Sequence, residues 1–394
     1  MTMEWGTVDY YIDRLSSPTP PLHIDICDSN LTDYDALRLA DALASGPNGG
    51  EECSGTTLKK LRLRGSQMTT WGFLALAEAI GGVAGSTSAL EELDFGYTFD
   101  IAKDVDDFAF GLHLLLSAAT NLKHLDLEGC SIARKAGIAV GDIVSVNGVV
   151  LETLNLRNNA LEDDSTIRLA SKLEGCKSLK RIDLGFNFVG LRGAIALAEF
   201  VATNPPLLHL ILIGNSIGDS GAMQFAKALK SNTTMVELNL GYNHISSVGL
   251  ETLFYAIFDT SSLNALADSN HTLCYLFQQQ CVEELLRRGC DVHTLFDIGN
   301  ILQLNEMNSL LKTSSHHLPD WTRELPLSSL SIEHLKIVIY LSKCFDMKHF
   351  ISMDRTMIPQ VLEFIASNMG HEKVFQLVGR WNMPQLFTQT LQAC

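Results

Sequence analysis

The residues that decide the fold are 207–217, LLHLILIGNSI, whose pattern returns 28 residues later as MVELNLGYNHI at 235–245. The same pattern precedes them at the same spacing, as LKRIDLGFNFV at 179–189 and LETLNLRNNAL at 151–161. In each copy, apolar residues occupy positions one, four, six and eleven, and asparagine occupies position nine. A pattern that recurs at one fixed period predicts a repeat architecture.

Less regular copies of the pattern flank these four. They begin at Leu122, Leu90 and Leu58, with a degenerate first copy through Ile24 and Ile26 and an incomplete last copy at Leu263 and Leu266. The sequence therefore predicts about eight repeats between residues 21 and 271.

Each repeat combines the signals of a strand and of a helix. Positions four and six alternate inward, as a short strand requires. The asparagine at position nine is expected to bond backbone groups where the chain turns. A glycine such as Gly193 or Gly221 then precedes apolar residues at helical spacing. One such unit buries its apolar face only against its neighbours, so we predict an α/β solenoid, a horseshoe with a parallel sheet on the concave face and helices outside.

The 28-residue period with a full helix in each unit resembles the ribonuclease-inhibitor subfamily of leucine-rich repeats. The resemblance covers residues 21–271. Before it, residues 1–20 end in a proline-rich run and are predicted to form an extended N-terminal segment. After it, residues 272–394 lose the period and are predicted to form a helical cap or domain, which begins with a helix over 273–288. The ending RWNMP at 380–384 resembles the tail of a repeat-protein family of diatoms.

Composition excludes several function classes. A formal net charge of −16 argues against a nucleic-acid partner, because phosphates attract lysine and arginine. No apolar run is long enough for a membrane span, and the N-terminus has no signal-peptide pattern. Nine scattered cysteines indicate reduced thiols, as in a protein of the cytoplasm or, alternatively, of the nucleus or its surroundings. No nucleophile elbow, phosphate loop or dinucleotide fingerprint occurs, so neither enzyme activity nor a cofactor is expected.

One arrangement in the sequence resembles a metal site. His271 and Cys274 are followed by Cys290 and His293, and zinc takes four such ligands when they converge. The pairs flank different predicted elements, and buried structural cysteines are commoner than zinc ligands. We therefore predict no bound metal there.

Two rows of side chains on the strands and turns are candidates for partner binding. At position five stand mostly acidic residues, among them Asp94, Asp126, Asn155 and Asp183. They form either an acidic strip that attracts a basic partner or an ordinary solvated face. At position eight stand the aromatic residues Tyr97, Phe186 and Tyr242, which either anchor a partner or pack on neighbouring loops.

Residues 90–137 depart from the regular repeat and resemble the early repeats of Ran GTPase-activating proteins. The similarity rests on the loop and helix FDIAKDVDDFAFGLHLLL and on the pair Asn158-Asn159 in the next repeat. The resemblance implies that Asn158 acts at the active site of a bound small GTPase. It also implies an arginine in the early loop, where this chain has Lys103, a point charge without a planar fork. We therefore expect a non-catalytic scaffold that binds another protein on the concave face and rim. The alternative is a GTPase activator that uses Asn158 and Lys103.

Overall fold

The computed structural model describes residues 7–17, 19–27, 31–45, 58–81, 89–98, 105–144, 150–257, 270 and 272–276. In these ranges, strands and helices alternate along the chain as the repeat predicts. None of the helices in them combines the length and apolar character that a membrane span needs.

Eight three-residue strands form one parallel sheet in chain order. They are β1 His23–Asp25, β2 Lys60–Arg62, β3 Glu92–Asp94, β4 His124–Asp126, β5 Thr153–Asn155, β6 Arg181–Asp183, β7 His209–Ile211 and β8 Glu237–Asn239. Equivalent repeat positions pair across the sheet, for example Leu125 with Leu154 and Leu154 with Ile182. This register keeps every position-four residue in the core and every position-five residue in one row on the opposite face.

A helix precedes the first strand, and one follows each of the eight strands. The helices are α1 Val8–Leu15, α2 Asp33–Ser45, α3 Thr70–Gly81, α4 Val105–Ala118, α5 Arg134–Val144, α6 Asp163–Leu173, α7 Leu191–Ala202, α8 Gly218–Ser231 and α9 Ser247–Ile257. Neighbouring strands lie about 4.8 Å apart and packed helices about 8–10 Å apart, so the sheet takes the inner, concave side of the stack. One apolar core runs between the two layers.

The asparagines at position nine bond successive repeats together, as predicted. Asn187 Nδ2 donates to the carbonyl oxygens of Leu156 and Leu184, and its Oδ1 accepts from the Leu161 N–H. Asn215 and Asn243 repeat this arrangement one and two units later. Earlier repeats carry Ser66, Thr98 and Cys130 at this position, whose side chains donate to a carbonyl oxygen of a turn.

Residues 8–15 of the N-terminal segment are helical, whereas the sequence predicted an extended chain over residues 1–20. Helix α1 begins after Thr7, whose side chain accepts from the Tyr10 N–H. Tyr11 and Leu15 are buried against the first repeat, and the Tyr11 hydroxyl donates to the Asp25 carbonyl. The proline-rich run lies after this helix and therefore does not interrupt it. The helix covers the open end of the core.

The sheet continues past residue 271, where the solenoid was predicted to end. Tyr275 forms a parallel bridge with Glu237, and Leu273 and Leu276 are buried. Asn270 Oδ1 accepts from the Leu273 N–H just as Asn232 Oδ1 accepts from the Met235 N–H. The helix predicted over 273–288 is therefore wrong over 273–276, because this segment adds another repeat start. The predicted copy at Leu263 and the remaining C-terminal helices lie outside the described residues.

Candidate functional site

The acidic row at position five has a structural cause. The Oδ1 atoms of Asp94, Asp126 and Asp183 each accept the N–H two residues ahead, at 2.9 Å. Asn155 and Asn239 make the same bond. This turn needs a short side chain with a carbonyl or carboxylate oxygen, which explains why aspartate and asparagine interchange there.

The acids of the concave face are also paired with arginines on the same face. Arg62 contacts Glu92 at 2.5 Å, and Arg181 lies 3.3 Å from Glu237. Arg64 contacts Glu128 at 2.5 Å and lies within 3.6 Å of two aspartates, Asp94 and Asp126. The charge of the predicted acidic strip is therefore largely neutralised by arginines. Two of these arginines, Arg157 and Arg181, were not predicted.

Burial raises the pKa of Asp183 above its usual value, although the Gly185 N–H, Arg157 and Arg181 act in the opposite direction. A carboxyl group whose folded pKa is raised costs stability once the pH rises through that pKa. Asp183→Asn keeps the turn acceptor and removes the charge. We expect it to raise the free energy of unfolding at pH 7, and the gain should shrink at pH 3, below the usual pKa of an aspartate.

Urea denaturation at both pH values measures this effect. Asp25→Asn, at the more exposed equivalent position, is the matched control and should change little at either pH. A loss of stability in Asp183→Asn at pH 7 would show that its arginine partners outweigh its burial.

Position eight has a left-handed backbone in seven successive repeats. Glycine occupies it at Gly65, Gly129 and Gly214, with φ between 64° and 72°. The other four repeats carry Tyr97, Asn158, Phe186 and Tyr242 there, with φ of 52–54°. A side chain in this conformation costs roughly 1 kcal/mol, and asparagine tolerates it better than an aromatic residue. Glycine adopts the backbone conformation that the turn needs, so the turn does not require the three aromatics.

Two of these aromatics, Tyr97 and Phe186, each lie between an arginine and a glycine in a stack of the same kind. The Arg64 guanidinium lies 5.0 Å from the Tyr97 ring centre, and the opposite side of the ring lies against Gly129. Three repeats further on, Arg157 lies 4.4 Å from the Phe186 ring centre, and that ring lies against Gly214. A Cβ atom on either glycine would fall within 2.7 Å of the ring. Arginine and glycine therefore hold each ring in a fixed orientation with its edge exposed.

Tyr97 also connects to Asn158 across the intervening glycine. The Tyr97 hydroxyl lies 3.1 Å from a Glu128 carboxylate oxygen, to which it donates, and 3.0 Å from Asn158 Nδ2. Glu128 is held in turn by Arg64. Because the hydroxyl hydrogen is committed to the carboxylate, its oxygen accepts from the Asn158 amide. This chain of bonds leaves the Asn158 carbonyl oxygen as the group available to a partner.

We call the set Arg64, Tyr97, Glu128, Arg157, Asn158 and Phe186 the rim cluster. Of the predicted site residues, it unites Tyr97, Asn158 and Phe186. Tyr242 lies further along the same rim and is 39% exposed, compared with 46% for Tyr97 and 44% for Phe186. Arg64, Glu128 and Arg157 were not predicted as site residues. The available signal was an arginine at position seven one repeat before an aromatic at position eight.

Several predicted residues lie outside the described ranges. Lys103 is one, and His271, Cys290 and His293 of the metal arrangement are the others. Cys274 lies within those ranges, and its sulfur donates to the Thr272 carbonyl. The ranges that the structure describes contain no group of three or more side chains that could hold a metal ion.

Comparison with known proteins supports the repeat assignment. The family model "Leucine Rich repeat" matches residues 175–198, 203–226 and 231–254. NACHT, LRR and PYD domains-containing protein 12 of Mus musculus is 26% identical over 242 residues, which are 51% of this chain and 23% of that protein. Ribonuclease inhibitor of Sus scrofa is 27% identical over 247 residues, or 61% of this chain and 52% of that protein.

A third relative is a Ran GTPase-activating protein. RAN GTPase-activating protein 2 of Arabidopsis thaliana is 27% identical over 126 residues, which are 32% of this chain and 23% of that protein. The chain thus spans about half or less of the length of each of these three relatives. The matches do not support the predicted similarity of residues 380–384 to a diatom family. This chain is a leucine-rich-repeat solenoid with homologues among the ribonuclease inhibitor, Ran GTPase-activating and NACHT–LRR proteins.

Proposed function

We propose that this chain is a non-catalytic scaffold that binds another protein through the rim cluster and the adjoining concave face. The observation that carries the proposal is the pair of arginine–aromatic–glycine stacks. Both place an aromatic in a backbone conformation that glycine adopts without strain, and strain of this kind concentrates at functional sites.

The rim cluster has the properties of a binding anchor. Its rings are large, partly exposed and held on both faces, so they lose little conformational freedom when a partner covers them. Arginine and tyrosine are the residue types enriched at the centres of protein interfaces. Most charges on the neighbouring concave face are already paired, so we expect those charges to set partner orientation more than affinity.

The proposed setting is the cytoplasm, with the nucleus as the alternative. The exposed Cys27 and the half-buried Cys176 are free thiols. The similarity to a RAN GTPase-activating protein is consistent with either compartment.

The scaffold is tested by affinity capture from an extract of the source organism, with the full chain as bait. The rim variant Tyr97→Ser/Phe186→Ser is compared with wild type and with Tyr255→Ser, which removes an aromatic of similar exposure on α9. We expect wild type and Tyr255→Ser to capture the same protein and the rim variant to lose it. Equal capture by all three would refute binding through the rim.

A second function, activation of a Ran-like GTPase, is favoured by one specific observation. Asn158, the residue implied by the resemblance, is exposed, and its amide nitrogen donates to the Tyr97 hydroxyl. An activator of this kind supplies no nucleophile; it positions groups of the GTPase and stabilises transition-state charge. Lys103 is the second residue proposed for this function.

Single-turnover GTP hydrolysis by Ran, with and without this protein, tests the activator. Under this function we expect acceleration of about 10³–10⁵-fold, lost in Asn158→Ala and kept in Tyr255→Ser. Binding of the GTPase should survive in Asn158→Ala. Absence of acceleration with the wild-type chain would remove the activator and leave the scaffold.

A further inference from the structure

The outward face of helices α2–α4 carries a large exposed aromatic on each helix. Tyr34 is 70% exposed, Trp71 60% and Phe110 57%. Each lies two residues from a buried residue of its own helix, which places it about 200° around the helix axis from the core. Those buried residues are Ala36, Phe73 and Phe108. All three aromatics therefore project away from the solenoid, on the side opposite the sheet.

Close helix contacts place Trp71 beside Tyr34 and place Phe110 further along its helix axis than Trp71. Gly72 packs against α2, where an added Cβ would lie 2.6 Å from Asp33 Oδ1 and 3.1 Å from Ala36. Gly111 packs against α3, where an added Cβ would lie 2.9 Å from the Phe73 ring. Trp71 and Phe110 are the residues directly before these glycines. The aromatics thus form a diagonal row across three adjacent helices, and the axes of such packed helices lie about 8–10 Å apart.

The fold does not require aromatics at these places. Tyr34 and Trp71 are the second residues of their helices, and α5, α6 and α7 have Lys135, Asp164 and Arg192 at that place. Single exposed aromatics are ordinary on protein surfaces, whereas a row of three on consecutive helices marks an interaction site.

The charges on the three helices of this row are mostly acidic. Helices α2–α4 contain six acidic residues and one arginine. Helices α5–α8 contain five acidic residues and seven lysines and arginines. The one arginine, Arg38, is bonded to Asp9 at 2.6 Å and lies over the Tyr34 ring. The aromatic row is therefore surrounded by carboxylates on an otherwise balanced outer face.

We propose that the outer face of α2–α4 is a second docking surface, which binds a basic amphipathic helix of another protein. The apolar side of such a helix covers Tyr34, Trp71 and Phe110, and its lysines or arginines face the carboxylates of α2 and α4. This surface is independent of the rim cluster, because it lies on the other layer of the solenoid.

Fluorescence anisotropy with a labelled 18-residue helix of leucine and lysine tests the surface, with the full chain as the titrant. We expect saturable binding that weakens at high salt and falls roughly tenfold or more in Trp71→Ser/Phe110→Ser. The matched control is Val248→Ser/Tyr255→Ser, which removes two exposed apolar residues of α9 and should bind like wild type. Circular dichroism and thermal unfolding establish that both variants fold.

Three outcomes would overturn the proposal. The peptide could fail to bind the wild-type chain, or it could bind the α2–α4 variant and the α9 variant equally well. A leucine–glutamate peptide of the same length could bind as tightly, which would remove the role of charge. Sedimentation velocity of the chain alone adds one further test. Self-association that disappears in Trp71→Ser/Phe110→Ser would identify the occupant as a second copy instead.

Discussion

Asn215→Ala is expected to lower the free energy of unfolding by about 3 kcal/mol. Asn215 is 3% exposed and bridges two repeats: its amide donates to the Leu184 and Leu212 carbonyls, and its Oδ1 accepts from the Val189 N–H. Alanine would leave that buried N–H without its acceptor and would remove two further bonds. The loss is concentrated at one interface, and a solenoid transmits stability only through neighbouring interfaces.

Urea denaturation followed by circular dichroism measures this loss. Ser216→Ala is the matched control, since Ser216 is the exposed neighbour of Asn215 and should change stability by less than about 0.5 kcal/mol. Equal stability of Asn215→Ala and wild type would mean that the position-nine bonds contribute little to stacking. A transition that broadens or divides in Asn215→Ala would support a coupling role of these bonds, because the repeats on either side would then unfold separately.

Tyr97→Ser/Phe186→Ser is expected to weaken binding of the captured partner by about 100-fold or more. Each substitution removes an aromatic anchor and also leaves an arginine, Arg64 or Arg157, without the ring on which it lies. Stability should fall little, because both rings are partly exposed. Isothermal titration calorimetry with the purified partner measures the change.

A charge variant of the concave face provides the comparison. Asp94→Asn/Asp126→Asn removes two charges and keeps both turn acceptors, as Asn155 and Asn239 do naturally. We expect this variant to lose less than tenfold in affinity, because the aspartates are already compensated by Arg64. A larger loss than in the rim variant would restore the acidic strip as the main binding surface.

The repeat could be predicted from sequence because its chemistry is local. An asparagine that bonds the turn and leucines that alternate inward leave the same spacing in every copy. The extra repeat start at 273–276 was missed because it follows Met235 by 38 residues instead of 28, although Asn270 occupies the place of Asn232. Helix α1 was not predicted, because the proline-rich run after it indicated an extended chain. The segment before that run is nevertheless amphipathic.

The site was harder to predict, because its contacts join residues from different repeats. Aspartate at position five suggested an acidic strip, but its interchange with asparagine already indicated a turn acceptor. The aromatics at position eight were identified, but their positive φ and the arginines beneath them were not. Both follow from stacking, which brings position seven of one repeat against position eight of the next. A single repeat pattern does not display that relation.

Hydroxyl-radical footprinting of the chain, free and bound to its captured partner, tests the binding site most directly. The method reports the solvent access of individual tyrosine and phenylalanine side chains by mass spectrometry. We expect Tyr97, Phe186 and Tyr242 to lose reactivity towards hydroxyl radicals on binding, while Tyr255 on α9 keeps it. Unchanged reactivity of the three rim aromatics in the complex would contradict the assignment of the rim as the binding site.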